Sequence, residues 1–295
     1  MPAAAAKPNE MRRLLLFSFA LLLGLYTPLA AQEFSGGFKA GLNFVTFDGP
    51  LETGAGDVEL ESFGNSTNFH IGAIANLRFT DIFRMRAELL YTQKGGIINF
   101  DGPSYWLFVP AGEAPPFSVN VQRTTVLEVT NTYLEVPIMA VARLKRFEVS
   151  AGLSAGFLVS SRASGEANIQ DGVLPNGSVI GPSSVGLDFN YLSDEPQQLD
   201  ENNSLMLPDE LNARYQQLDD DDNLFNTLDV GLVGGISYFL NRGLFIGGRV
   251  NYSLIDITEQ SQDISRSTIN PDDTYVTRDD DDRNFVLQLS VGFSF

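Results

Sequence analysis

Eight aspartates stand in two unbroken tracts: Asp219, Asp220, Asp221 and Asp222, then Asp279, Asp280, Asp281 and Asp282. Carboxylates packed this closely repel one another, and a hard divalent cation relieves the repulsion through oxygen ligands. The spacing lacks the glycine and distal glutamate of an EF-hand loop, so the chemistry expected is weak calcium or magnesium binding. A solvated acidic rim that resists edge pairing accounts for the same residues. A second set of charges is scattered singly: Arg84, Arg86, Glu88, Lys94, Glu135, Arg143, Glu148, Asp229 and Arg249. Such a mixture either pairs into a buried network or passes protons or ions, depending on what holds it. Catalysis has little to build on. The chain has no Cys, a single His (His70), and no phosphate loop, dinucleotide fingerprint or HExxH motif. A lipid or peptide hydrolase is a remote alternative.

The scattered charges belong to segments of strict period-two alternation, which is the mark of a strand with one apolar face. At the C-terminus Phe285, Leu287, Leu289, Val291, Phe293 and Phe295 share a face, opposite Val286, Gln288, Ser290, Gly292 and Ser294. Seven further segments alternate in the same way, over residues 34–44, 69–79, 83–91, 134–144, 147–159, 228–238 and 244–252. Their aromatics collect at the ends. Phe34, Phe79, Phe83, Phe147, Tyr238, Phe293 and Phe295 mark one rim, and Phe44, Phe69, Tyr91, Phe157, Tyr252 and Phe285 the other. Aliphatics lie between, as in a band that faces lipid. The scattered charges fall on the opposite face, together with Lys39, Asn43 and His70.

Connections alternate in length. Residues 80–82, 145–146 and 239–243 make short turns, whereas 48–67, 95–131, 160–225 and 255–282 are long. This predicts an all-β fold: an eight-stranded antiparallel up-and-down transmembrane β-barrel with short periplasmic turns and long acidic outer loops. A lumen of that size is filled by side chains, which predicts a plugged interior with the nine charges as an ion-pair network. Lone His70 reads as a hydrogen-bonded filler.

Charge follows the same polarity. The long connections hold thirty Asp or Glu against five Arg, so the remainder of a chain whose net charge is −18 is basic. Arg78, Arg84, Arg143, Lys145, Arg146 and Arg242 cluster at the short-turn rim. The overall balance excludes nucleic acid as a partner. At the N-terminus, Arg12 and Arg13 precede an apolar run and then Ala30-Ala31, which reads as a signal peptide over residues 1–31 for the general secretory route. Met11 is a second candidate start, which makes residues 1–10 an upstream extension. The barrel domain is then residues 32–295, an integral protein of the bacterial outer membrane.

Two runs resemble a known family. Glu88-Leu-Leu-Tyr-Thr-Gln-Lys-Gly95 and Tyr133-Leu-Glu-Val-Pro-Ile138, in that order, resemble signatures of the PorT-like outer-membrane β-barrel proteins. The resemblance implies an eight-strand barrel and, as an alternative function, an accessory role in type IX protein secretion. By their own chemistry, Glu88 and Glu135 anchor the lumenal network, Pro137 marks a bulge or kink, and Gly95 releases its strand where it leaves the membrane.

In the loops, 105–110 is expected to fold back as a cap or else to meet a partner or glycan. Val119, Val121, Leu127 and Val129 extend a hairpin above the membrane, and the third loop is expected to be partly disordered or a functional lid. The function expected is non-enzymatic: acidic surface loops for an extracellular ligand, cation or envelope protein. The C-terminal strand is expected to present its six apolar residues to the barrel-assembly machinery.

Overall fold

The computed structural model describes residues 33–108, 117–192, 197–198, 210–211, 223–272, 274–278 and 280–295. The expected signal peptide, the tract Asp219–Asp222 and Asp279 lie outside the described residues. The strands, in chain order, are β1 (Glu33–Asp48), β2 (Glu61–Gly64), β3 (Ser66–Arg78), β4 (Phe83–Phe108), β5 (Phe117–Leu144), β6 (Phe147–Gln170) and β7 (Ser183–Asn190). They continue as β8 (Gln197–Gln198), β9 (Glu210–Leu211), β10 (Leu228–Phe239), β11 (Leu244–Ser253), β12 (Ile264–Ile269), β13 (Tyr275–Thr277) and β14 (Arg283–Ser294). The eight alternating segments fall on β1, β3, β4, β5, β6, β10, β11 and β14. In that order each pairs antiparallel with the next, and β14 pairs back to β1 from Gly37↔Ser294 to Asp48↔Arg283. The ring is closed, and closure leaves no open edge for lipid to face.

Burial in the ring is inverted relative to a water-soluble domain. On β14, Leu289 is 49% exposed while its neighbour Gln288 is fully buried. Phe34, Phe83, Phe147 and Leu153 are exposed in the same way, and Asn43, Glu135 and Asp229 are buried. Lipid is the solvent that makes this arrangement favourable, since an apolar band in contact with acyl chains loses nothing. Only two residues, Lys145 and Arg146, join β5 to β6, and Lys145 takes a left-handed φ of 59° to close that turn.

β4 and β5 run for 26 and 28 residues, far more than the roughly 9–11 a tilted strand needs to cross a bilayer. Their outer halves stand in water, and there the chemistry of the inward face changes. Leu127 and Val129 on β5 point inward on the same parity as Glu135. They join Trp106, Val119, Val121, Phe189, Phe225 and Ile257 in one apolar cluster, with Phe47, Tyr133 and Leu158 at its base. Residues 105–106 thus fold inward, Tyr105 donating a hydrogen bond to the carbonyl of Ser265 at 2.8 Å.

Three local expectations are corrected. Pro137 stays in register with Ser154, and the register shift on β5–β6 lies instead at Thr132/Tyr133. That bulge changes which residues of β6 point in: Ser154 and Leu158 do so below it, Ser161, Ala163, Ala167 and Ile169 above it. An inserted residue flips every later side chain, which is what brings the alanines and Ile169 into the apolar cluster. β4 continues straight through Gly95, whose φ of 123° is a left-handed value inside a strand rather than a release point. The start of the third loop is regular: β6 extends to Gln170 and β7 pairs back along it.

Candidate functional site

Two charged regions stand out, one inside the ring and one at its outer rim. The interior is tiered. In the outer tier Lys94 Nζ lies 2.6 Å from Glu135 and 2.9 Å from Asp229, beneath the ring of Tyr133. Below it, Glu88 takes Lys39 at 2.6 Å and Arg249 at 2.8 Å, and Arg249 reaches toward Glu135 at 4.0 Å. In the lowest tier Arg86 meets Glu148 at 2.6 Å. Neutral groups extend the network: Asn251 Nδ2 donates to Glu135, Arg249 Nε to Gln288, Arg86 Nε to Asn76 and Asn284 Nδ2 to Asp229, while Asp229 Oδ1 and Arg249 Nη2 are left without a hydrogen-bond partner. All eight charged residues are buried, and they are four cations and four carboxylates. Buried charges persist where they are paired and hydrogen-bonded in this way.

The parity of β1 pointed Lys39 inward, yet its place in the network was not read from the sequence; only the β1–β3–β4 ladder brings it to Glu88. Arg84 and Arg143 do not enter the network. Among the described residues neither forms an ion pair, and the Arg143 guanidinium lies 3.5 Å over the Phe239 ring.

His70 sits in a Ser–His–Asn arrangement. Asn43 Nδ2 donates to Thr92, Gln93 and Phe69, so its Oδ1 faces His70 Nδ1 at 2.7 Å and His70 Nε2 accepts from Ser290 Oγ at 2.8 Å. A nucleophile needs space for its substrate. His70 is 1% exposed, and the lumenal cavity that Ser290 borders holds about 20 Å³, room for a water or two. The triplet is held by these hydrogen bonds inside the packed lumen.

At the rim, loops on either side of the β1–β14 seam are clasped. Glu52 accepts from Ser265 Oγ at 2.6 Å, Ser267 Oγ at 2.7 Å and the backbone N–H of Ser267 at 2.8 Å. Burial works against the charge of Glu52, but these hydroxyl and backbone donors hold it below the usual carboxylate range. Glu61 is bound by Arg266 and, at 3.0 Å, by Arg278, which also takes Asp280 at 2.6 Å.

Of the second aspartate tract, Asp280 and Asp282 converge with Asp263, one oxygen of each lying within 4.8 Å of the others. Asp281 turns away to Arg283. Each member of the trio has a buried oxygen without a hydrogen-bond partner. Burial, then the neighbouring Asp280, pushes Asp263 up to about 8 and Asp282 up to about 6. These oxygens could hold a cation. No spacing signal in the sequence links Asp263 to Asp280.

No curated protein matches the chain. Among solved structures it resembles Ail, the attachment invasion locus protein of Yersinia pestis, at 10% identity over 89% of this chain and 99% of that one, with a TM-score of 0.34. It resembles Neisserial surface protein A at 12% identity, over 89% and 99%, again with a TM-score of 0.34. Overlaps this loose carry nothing about function. The sequence match is more telling: the description "Outer membrane protein beta-barrel domain" fits residues 30–259. With the closed ring and its lipid-facing belt already in view, the chain belongs to the outer membrane protein β-barrel domain family and resides in the bacterial outer membrane.

Proposed function

We propose that this is a non-enzymatic barrel with a closed lumen that presents acidic outer loops to an extracellular ligand, a cation or an envelope partner. The carrying observation is the stacking of a charge-balanced interior under an apolar cluster, with Lys94, Glu135 and Asp229 buried below Phe225 and Ile257. Ions crossing it would have to break buried pairs and then pass a dry cap, two barriers in series. Recording in planar bilayers tests this: brief or undetectable currents are expected, and steady large single-channel currents would sink it.

At the rim, the Asp263, Asp280 and Asp282 oxygens are offered as a weak calcium or magnesium site. The outward residues of β14, from Phe285 to Phe293, with Phe295 after its end, are offered as the face met by the assembly machinery. A second reading, the PorT-like accessory of type IX secretion, rests only on the resemblance of the two motif runs. The two motif runs lie on neighbouring strands β4 and β5, and Lys94 of one ion-pairs Glu135 of the other. Gene deletion separates the readings: lost secretion of cargo favours the accessory, while altered adhesion or envelope integrity favours the surface role.

A further inference from the structure

A hollow of about 580 Å³ lies on the lipid-facing surface of the ring, where β6, β10, β11, β14 and β1 run side by side. Its size is that of an ordinary small-ligand site, about 300–1,000 Å³. The ladders explain its form. Ile236, Gly248, Leu289 and Leu42 oppose one another on successive strands of the outward face. Gly248 has no side chain, so Ile236 and Leu289 stand as ridges two strand spacings apart, roughly 9–10 Å. One row nearer the periplasm come Tyr238, Ile246, Val291 and Ala40, and the small Ala40 leaves the slot open toward β1. A slot of this width between aliphatic walls admits one hydrocarbon chain. Because the belt faces the bilayer, its occupant comes from the membrane.

Its periplasmic end carries the polar contacts. Phe147 and Tyr238, girdle aromatics with ring centroids 5.1 Å apart, line that end. Arg146 Nη1 donates to the Tyr238 hydroxyl at 3.4 Å. Tyr238 shares the outward parity of Ile236, so this contact lays the Arg146 guanidinium on the lipid side of the ring. Girdle aromatics and the cations beside them sit at headgroup depth. Among the described residues the Arg146 side chain forms no ion pair, and its remaining N–H groups are free for an anion. Arg242 is exposed on the turn joining β10 to β11, and neither turn carries an acid. We propose that this hollow holds one anionic phospholipid of the periplasmic leaflet, an acyl chain lying between Ile236 and Leu289 and the phosphate on Arg146, backed by Arg242.

The test uses the barrel refolded in a non-ionic detergent, with bound lipid counted by native mass spectrometry. Phosphatidylglycerol, the phosphatidylcholine of the same chains and inorganic phosphate are titrated separately. Phosphatidylglycerol should form a saturable one-to-one complex, phosphatidylcholine a weaker one and phosphate none. Gly248→Leu fills the slot, and the backbone tolerates it, since a Cβ there meets nothing closer than Leu289 Cδ2 at 3.6 Å. It should lower the affinity for both lipids about tenfold. Arg146→Gln should lower the affinity for phosphatidylglycerol about tenfold and leave phosphatidylcholine unchanged. Ala140→Leu, exposed on β5 away from the hollow, should change neither. Non-saturating adducts that are alike in wild type and variants would mean ordinary boundary lipid and overturn the proposal. Equal affinity for the two lipids overturns it as well, as does binding of phosphate alone. So does a two-chain species that Gly248→Leu abolishes, which would put a second copy in the slot. If Gly248→Leu does not refold, Ala40→Leu is read by the same criteria.

Discussion

Lys94 is the residue whose removal tests the interior most severely. Its side chain is 1% exposed and its ammonium serves two buried carboxylates, at 2.6 Å and 2.9 Å. Lys94→Met keeps the volume and deletes the charge. Glu135 then keeps Asn251 at 3.0 Å and the distant Arg249, whereas Asp229 keeps only Asn284 at 3.2 Å and already has one oxygen without a partner. Removing one partner of a buried pair costs about 3–5 kcal/mol, and two carboxylates sharing one cation place this variant at the upper end, about 5 kcal/mol. The triple variant Lys94→Met/Glu135→Gln/Asp229→Asn removes the charges together, so it should return to within about 1–2 kcal/mol of wild type. Guanidinium unfolding in detergent micelles measures both variants, followed by the fluorescence of Trp106, the one Trp of the chain, and by circular dichroism. Coincidence of the two probes licenses the comparison. A Lys94→Met cost below about 1 kcal/mol would refute the reasoning, as would a triple variant no more stable than the single one.

At Gly95, φ is 123° and a Cβ would run into the carbonyl of Val129; Gly95→Ala should therefore cost upward of about 1–3 kcal/mol in the same unfolding assay. Gly186→Ala, where a Cβ meets open space, should stay within about 0.5 kcal/mol, and equal effects of the two would discredit the strain argument. Asp263 near 8 and Asp282 near 6 both lie above the usual 3.8, so the contribution of this pair to loop order is fully present below about pH 4 and is lost as pH rises through their folded values. Protease nicking of residues 255–282 should increase between about pH 5 and about pH 9, and calcium should suppress it only at the higher pH; cleavage indifferent to both would leave a merely solvated rim.

The sequence disclosed the ring because a bilayer imposes one rule on every crossing strand. Phe285, Leu287, Leu289 and Val291 had to alternate with Gln288 and Ser290, and nothing in the tertiary structure could override that. Above the membrane the rule lapses, and legibility fell with it. The outer half of β5 was readable because Val119, Val121, Leu127 and Val129 keep a period of two. The outer half of β6 was not, since the bulge beside Val159 breaks the count and makes a regular strand look irregular. Pro137 drew attention as the likelier kink, but a missing donor interrupts a ladder without shifting it. The rim cluster was illegible for another reason. Asp263, Asp280 and Asp282 meet because β12 and β13 fold against each other and β14 closes on β1. That is a consequence of topology, and no local spacing encodes it.

The same change of rule explains why the two ends of the lumen differ. Outward apolar faces are stable only where lipid covers them, so a strand rising into water must bury its apolar residues inward. β4 and β5 do this by changing composition on a constant parity, and β6 by changing parity at its bulge. Both devices act at the level of Thr132, Tyr133 and Leu158, so apolar side chains accumulate directly above Lys94. Water is thereby excluded from the outer end, which strengthens the ion pairs beneath and makes charge balance there obligatory. At the periplasmic end the inward apolar residues form only a small cluster of Ile74, Phe239 and Phe245, and turns as short as Lys145–Arg146 leave no strand standing beyond the membrane. Surplus charge is tolerable only at that end. Arg84 and Arg143 sit there, on the lumenal face of the short-turn end, with no ion pair among the described residues and with Arg143 against the Phe239 ring.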